Sequence, residues 1–383
     1  MRFKLIFLLL IIVQSAFSQT QDSVKTKKNL RFSVLGGPGY TPDYGFVIGG
    51  SALFTFSTNR ADSALKRSVI PVAFGYMFSG GGSAVIRPQL FLNSDKFRIF
   101  GNVAMNSTFE NYYGVGYEKN TTTERGEDST QYRSIGFSFN PILFFRFKET
   151  NLFFGGSVDI AQKTFNEPSI GVQNDEDYIA EGGDADGLKY FNVGIGANIS
   201  YDTRDVPANA YKGVLLDFSA TFYSHTFGST SDFSVFRAQY KQYQQLKFIA
   251  DRTVLAWMVD GRFATGDVPL PDLSMIGSTF DLRGYYMGQY RDKNAITTLV
   301  EYRQMINAGD ATKFKRLLSK LGYAAWVGLG TIDPDFKDWS GAMPNFGAGL
   351  RVEVQPRMNF RFDVGHDPLS GKTLMYFNMT EAF

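Results

Sequence analysis

Arg283, in the stretch Leu282-Arg283-Gly284-Tyr285, is the residue of this chain with the most pointed chemistry. Its guanidinium is always charged and offers five donors in a rigid fork, so an arginine withdrawn from bulk water needs a carboxylate. The glycine beside it lets a second backbone approach closely, and aromatic rings flank the pair. Other reactive constellations are sparse. The absence of cysteine and the presence of only two, distant histidines (His225 and His366) exclude thiol chemistry and leave almost nothing for a zinc site. Ser224 and His225 are neighbours that a strand sends to opposite faces, with no organised acid to complete a nucleophilic site. The acidic stretch 175–187 lacks the spacing of a calcium loop and reads as a solvated surface loop. A formal charge of +2, with one clear basic run at Lys313-Phe-Lys-Arg-Leu-Leu-Ser-Lys320, gives no face for nucleic acid. The expectation is a protein that is not an enzyme and needs no cofactor or metal.

What must position Arg283 is a sheet. Residues 265–294 form a long Gly/Pro-punctuated segment between two alternating runs, and so long a loop implies a function. From Leu30 onward apolar and polar residues alternate: Ile135, Phe137 and Phe139 against Ser134, Gly136 and Ser138; Val214, Leu216 and Phe218 against Asp217 and Ser219; Leu255, Trp257 and Val259 against Asp260 and Arg262. A secreted β-sandwich would share that alternation. Two features decide for a transmembrane barrel: runs of ten or more residues, and mid-strand charges (Arg237, Glu301, Arg351, Arg361) that suit a wet interior. Strand starts fall near residues 30, 45, 67, 82, 96, 131, 151, 187, 213, 232, 252, 294, 320, 345, 357 and 372, sixteen in all, with the Arg283 loop between the eleventh and twelfth. The long connections (109–130, 165–186, 265–293, 332–344) all join an odd strand to the next even one, while 93–95, 148–150 and 355–356 are tight, which is the outer-membrane pattern. The fold expected is all-β, a sixteen-stranded antiparallel transmembrane β-barrel over residues 30–383.

The N-terminus reads as a secretory signal over residues 1–18: Arg2 and Lys4, an apolar run from Leu5 to Val13 too short to span a bilayer, and a small-residue cleavage site at Ala16-Phe17-Ser18. Residues 19–29 are a polar lead-in into the periplasm, too short for a folded module.

Within this frame the Leu282-Arg283-Gly284-Tyr285 tip resembles the lumen loop of the BamA/TamA-type outer-membrane assembly-factor superfamily, the bacterial surface antigen barrels. The resemblance covers nearly all of the chain after Leu30. Asp202-Thr-Arg-Asp-Val-Pro followed by Lys212-Gly213 is similar to the family's inner turn before the ninth strand. The resemblance implies that the loop folds into the barrel and that its arginine is clamped by acids of the wall, with Glu301 in Thr297-Thr-Leu-Val-Glu301-Tyr-Arg as the first partner. Trp326-Val-Gly328-Leu-Gly330 falls where the family has an aromatic-x-Asp-x-Gly motif, so Gly328 stands at the place of a second acid, for which Asp363 is the substitute. Tyr376-Phe377-Asn-Met-Thr-Glu-Ala-Phe383 resembles the β-signal with which such barrels end, Thr380 standing for a commoner glycine. Family members usually carry periplasmic POTRA domains, for which the lead-in has no room.

The first strand, Phe32-Ser-Val-Leu-Gly36-Gly37-Pro38-Gly39, is expected to be short and broken, and to pair poorly with the last. Such a seam opens sideways and offers unpaired backbone to a client strand. The resemblance implies a role in inserting or exporting outer-membrane proteins at the bacterial outer membrane, with its lipids, client proteins and a partner supplying a receiving domain around it. The rival is a passive pore or a structural subunit of an envelope complex.

Overall fold

A computed structural model describes residues 29–383 except 64, 208 and 338; the signal segment and all but the last residue of the lead-in lie outside the described residues. The strands are β1 (Arg31–Thr41), β2 (Gly45–Phe56), β3 (Ser68–Met77), β4 (Gly81–Ile86), β5 (Gln89–Leu92), β6 (Phe97–Asn111), β7 (Gln131–Arg146), β8 (Leu152–Asn166), β9 (Leu188–Asp202), β10 (Gly213–Tyr223), β11 (Phe233–Gln245), β12 (Thr253–Gly266), β13 (Ser274–Ile276), β14 (Tyr290–Asp292), β15 (Asn294–Met305), β16 (Leu321–Asp333), β17 (Ser340–Gln355), β18 (Met358–His366) and β19 (Thr373–Met379). All but β13 and β14, which pair with each other, belong to one large antiparallel sheet. Within it, pairing follows chain order from β1–β2 to β18–β19, with β4 and β5 both set between β3 and β6 and β12 paired with β15, and the sheet curls until β19 lies beside β1. Among the described residues no helix is long and apolar enough to cross a membrane.

Alternation makes this sheet inside out. Along β9, Phe191, Ile195, Ile199 and Tyr201 are exposed on the outer face, while Tyr190, Asn192, Asn198, Ser200 and Asp202 are buried on the inner one. The same holds around the wall: Phe74, Phe218, Val327 and Leu350 point outward and exposed, whereas Arg98, Glu301, Arg351 and Asp363 are buried. A continuous apolar exterior around charged, buried contents is the reverse of a soluble fold.

Four details depart from the sequence reading. The first strand is unbroken, its eleven residues paired with β2 from Arg31↔Thr55 to Thr41↔Gly45. Phe78 N–H donates to Phe46 O at 3.1 Å, so Phe46 turns its backbone groups toward β3. By alternation the partner of Ile48, Pro38, turns its nitrogen away from β2, where a missing N–H costs no bond. The fourth strand is interrupted between β4 and β5 at Arg87-Pro88, both halves pairing with β3 and β6. β17 begins at Ser340 rather than near 345: Pro344 sits opposite Leu329 of β16, beyond the last β18 pair at Phe346↔His366, on a stretch with one neighbour only. Finally, the last strand does not run to Phe383. It ends at Met379, Thr380 takes a left-handed φ of 67°, and the chain turns into the lumen.

The long connections lie at one end and grip one another. Gly116 N–H donates to Arg291 O (2.9 Å), Arg291 N–H to Asn120 Oδ1 (2.8 Å) and Leu270 N–H to Glu181 Oε1 (3.0 Å). Lys119 pairs with Asp175 (2.9 Å) and Asp177 (2.8 Å), and Tyr112, Phe165, Val172, Tyr178 and Leu270 share an apolar cluster. The result is a cap over that mouth.

Candidate functional site

The loop between β12 and β15 enters the barrel because its own residues bend it there. The β13–β14 ladder closes its base, and Gly277 (φ 105°) and Gly284 (φ 125°) turn the backbone where L side chains are disfavoured. A Cβ on Gly284 would stand 2.8 Å from the carbonyl carbon of His366, and one on Gly365 would stand 2.4 Å from Arg283 O. The tip therefore lies backbone against backbone on the end of β18.

At that tip Arg283 is completely buried. Its Nη1 donates to Asp363 Oδ2 at 2.7 Å and its Nη2 to Glu301 Oε2. The guanidinium lies over the Trp326 ring, 3.5 Å from its centroid. Each acid has further cations. Arg303 Nε reaches Glu301 Oε1 (2.7 Å); Arg351 Nη1 reaches Asp363 Oδ1 (2.6 Å); Arg361 Nη1 also meets Asp363. Glu381 joins from the inturned C-terminal tail, accepting from Arg351 Nε (2.9 Å) and Asn359 Nδ2 (2.7 Å). Four guanidinium groups thus share three side-chain carboxylates out of water, and each acid meets more than one arginine.

Neutral groups complete the grip. Gly284 N–H donates to Tyr376 Oη (2.8 Å), which donates to Tyr285 O (3.0 Å). Asn345 Nδ2 donates to Arg283 O (2.8 Å), and Tyr285 Oη to Pro344 O (2.6 Å). Trp326, Gly328 and Gly330 alternate onto the inner face of β16, and the two glycines form the floor on which Leu282 rests. A Cβ at Gly328 would meet Asn345 Oδ1 at 2.3 Å and Leu282 Cδ2 at 3.0 Å; one at Gly330 would meet Leu282 Cδ1 at 2.6 Å. An acid at 328 would have to displace Asn345 and Leu282, and Asp363 lies across the tip instead.

The structure brings Leu282, Arg283, Gly284, Tyr285, Glu301, Asp363, Trp326, Gly328 and Gly330 into one assembly. It divides the C-terminal motif. Tyr376 faces the lumen and holds the tip, Phe377 faces outward against Phe362 (centroids 4.7 Å apart), and Phe383 is buried inside, its carbonyl accepting from Arg303 Nη2 (3.0 Å). Gly36, Gly37 and Pro38 lie on β1, opposite Gly50, Gly49 and Ile48 of β2. Ser224 caps a short turn, and His225 pairs with Asp232 (2.7 Å) in the open. Sequence reasoning missed Asn345, Glu381 and the joint role of Arg303, Arg351 and Arg361. Period two already put Arg303 on the face of Glu301 and Arg361 on the face of Asp363, and marked Arg351 as a mid-strand charge, which was the available signal for the last three.

A model of the Omp85 superfamily domain matches residues 74–366. The chain belongs to the Omp85 superfamily. A search of curated proteins finds no match. Among solved structures this Omp85 chain is similar to BamA from Haemophilus ducreyi lacking POTRA domains 1–3, at 12% identity and a TM-score of 0.59, covering 99% of this chain and 78% of that one. It is also similar to CdiB from Escherichia coli (11% identity, TM-score 0.58, 94% of this chain) and to CdiB from Acinetobacter baumannii (12%, 0.54, 93%). It spans 63% and 60% of the length of those two CdiB chains. At these identities the likeness establishes a shared fold alone, that of an all-β, mostly antiparallel Omp85 barrel.

Proposed function

We propose that this Omp85 protein is a sixteen-stranded outer-membrane barrel, β4 and β5 counting as one interrupted strand, that inserts or exports outer-membrane proteins through the β1/β19 seam. Residues 1–18 serve as its export signal, and a periplasmic or membrane partner presents clients to it. No catalysis, cofactor or metal enters this reading. The supporting observation is the seam itself. Among the described residues every neighbouring pair of wall strands forms a ladder, but β1 and β19 lie side by side without one. Unpaired N–H and C=O groups in hydrocarbon are costly, so such an edge recruits a strand that can satisfy them. The packed loop cap and the Arg283 assembly argue against a passive pore, which needs an open lumen.

The test uses the absence of native cysteine. One cysteine on β1, scanned against single cysteines on β19, is cross-linked in proteoliposomes given a urea-denatured outer-membrane protein, and folded client is read by gel mobility. Faster folding than in empty liposomes, abolished by the cross-link and restored by reduction, is expected. Equal folding with the seam locked would overturn the reading, and a large, steady single-channel conductance would establish the pore instead.

A further inference from the structure

The basic run 313–320 plays no part in the lumen. It forms a short helix, Lys313–Leu318, in the connection between β15 and β16, at the mouth opposite the cap, with Thr312 Oγ1 accepting from Lys315 N–H (3.1 Å). The turn between β11 and β12, residues 246–252, lies against it: Arg252 Nη1 donates to Ser319 O at 2.6 Å. Both turns push apolar side chains away from the protein. Phe248 is 85% exposed and Phe314 68%, with Ile249 and Leu317 open beside them. Lys247, Lys313, Lys315 and Arg316 surround these side chains and have no ion-pair partner among the described residues. The acids on the two turns are Asp251 and Asp310, while Glu353 is taken by Arg252 (2.8 Å).

What lies directly above identifies the occupant. On the outer face of β15 and β16, Tyr302 and Tyr323 (centroids 6.2 Å apart) both turn their hydroxyls onto Gln304, at 2.5 and 2.8 Å, and Ile306 follows, exposed. On β11, Tyr240 does the same with Gln242. Tyrosine rings with their polar tips gathered at one level mark the edge of an apolar belt. The exposed phenylalanines and cations come one step beyond that level, so the patch continues the belt into the headgroup layer.

We propose that these two turns form a docking patch for anionic phospholipid. Phe248, Ile249, Phe314 and Leu317 enter the boundary between acyl chains and headgroups, and Lys247, Lys313, Lys315 and Arg316 bind the phosphates, as basic amphipathic segments do at anionic surfaces. The patch rests on the barrel lying in a membrane and is tested separately from it. The protein, labelled with an environment-sensitive fluorophore at Phe314→Cys or, as a wall control, at Val327→Cys, is placed in nanodiscs of phosphatidylethanolamine and phosphatidylglycerol containing shallow spin-labelled lipid. Quenching at both positions is expected. Quenching at 327 with a water-exposed label at 314 overturns the patch alone; no quenching at either overturns patch and barrel together. In a second arm, Lys313→Glu/Lys315→Glu/Arg316→Glu is expected to lower phosphatidylglycerol retention, read by native mass spectrometry, roughly ten-fold, with heat-modifiability unchanged. Unchanged retention overturns the proposal. A soluble periplasmic protein bound by the parent and lost on charge reversal, with lipid retention intact, would reassign the patch to a protein.

Discussion

The lumen network predicts an order of damage that is not obvious from its most prominent member. Arg283, Arg303, Arg351 and Arg361 share Glu301, Asp363 and Glu381, so guanidinium groups outnumber side-chain carboxylates by one. Arg283→Met removes one guanidinium and leaves three against three; Glu301 retains Arg303, and Asp363 retains Arg351 and Arg361. What is lost is the hydrogen bonding and the stacking on Trp326, about 2 kcal/mol for a desolvated cation–π pair, and the total is at or below about 3 kcal/mol. Asp363→Asn instead leaves four guanidinium groups against two side-chain carboxylates, strips three arginines of a common partner and buries uncompensated charge, at a cost of about 3–5 kcal/mol. The carboxylate variant is therefore expected to be the less stable, although the arginine carries the motif. Urea unfolding of both variants in nanodiscs, followed by heat-modifiability and by protease cleavage of residues 277–289, measures the order. Equal stabilities, or Arg283→Met the weaker, would refute the charge count.

Three further outcomes follow from the same geometry. Gly328→Asp, which supplies the acid that the family resemblance places there, is expected to destabilise the barrel and loosen the loop, because Asn345 and Leu282 occupy the space; a gain in unfolding midpoint would contradict this. Asp292, in the cap, is buried, and burial together with the nearby Asp333 charge pushes its pKa up to about 6. A carboxyl whose folded pKa exceeds its unfolded value binds its proton more tightly when folded. Cap stability should then rise as pH falls through about 6 toward the ordinary carboxylate range, and should be lost as pH rises through it; proteolysis of the cap from about pH 7 to pH 5 reads this, and Asp292→Asn should flatten the profile. Hydrogen exchange in nanodiscs should be faster in β1–β3 than in β15–β18, and equal protection would show that the lumen loop does not brace its side of the wall.

The wall was legible because its signal is local. Period two in side-chain polarity survives whatever the strands pair with, and strand starts such as Gly45, Gln131, Gly213 and Asn294 follow from it directly. The failures occur where a neighbour strand, or its absence, decides. Pro344 reads as a breaker in isolation and is tolerated because β18 has already ended beside it; Pro38 is tolerated because its nitrogen turns away from β2. The inward turn at Thr380 had no local sign, since nothing in Met-Thr-Glu-Ala-Phe says that Glu381 meets Arg351 across the lumen. Arg283 was legible as a residue in need of an acid, but the count of partners was not, because it sums over strands up to eighty residues apart.

The distribution of those partners bears on the proposed opening of the seam. Every group that holds the loop tip comes from the last third of the chain: Glu301 on β15, Trp326 on β16, Asn345 on β17, Asp363 on β18 and Tyr376 on β19. Among the described residues β1 to β5 give the tip no hydrogen bond or ion pair; the β1–β2 hairpin meets the loop at Met287, whose N–H donates to Asp43 Oδ1 (2.8 Å), and meets the cap at Arg125, which donates to Asp43 O (2.8 Å). The unladdered junction therefore falls between a braced bank and an unbraced one. β19 is fixed through Tyr376 and through Glu381 just beyond it, whereas β1 is held mainly by its ladder to β2. Opening the junction by swinging β1 and its neighbours outward breaks few buried contacts; opening it by moving β19 must dismantle the arginine network. Under the proposed role, the economical motion leaves the last strand in place, with its free edge presented to an incoming strand.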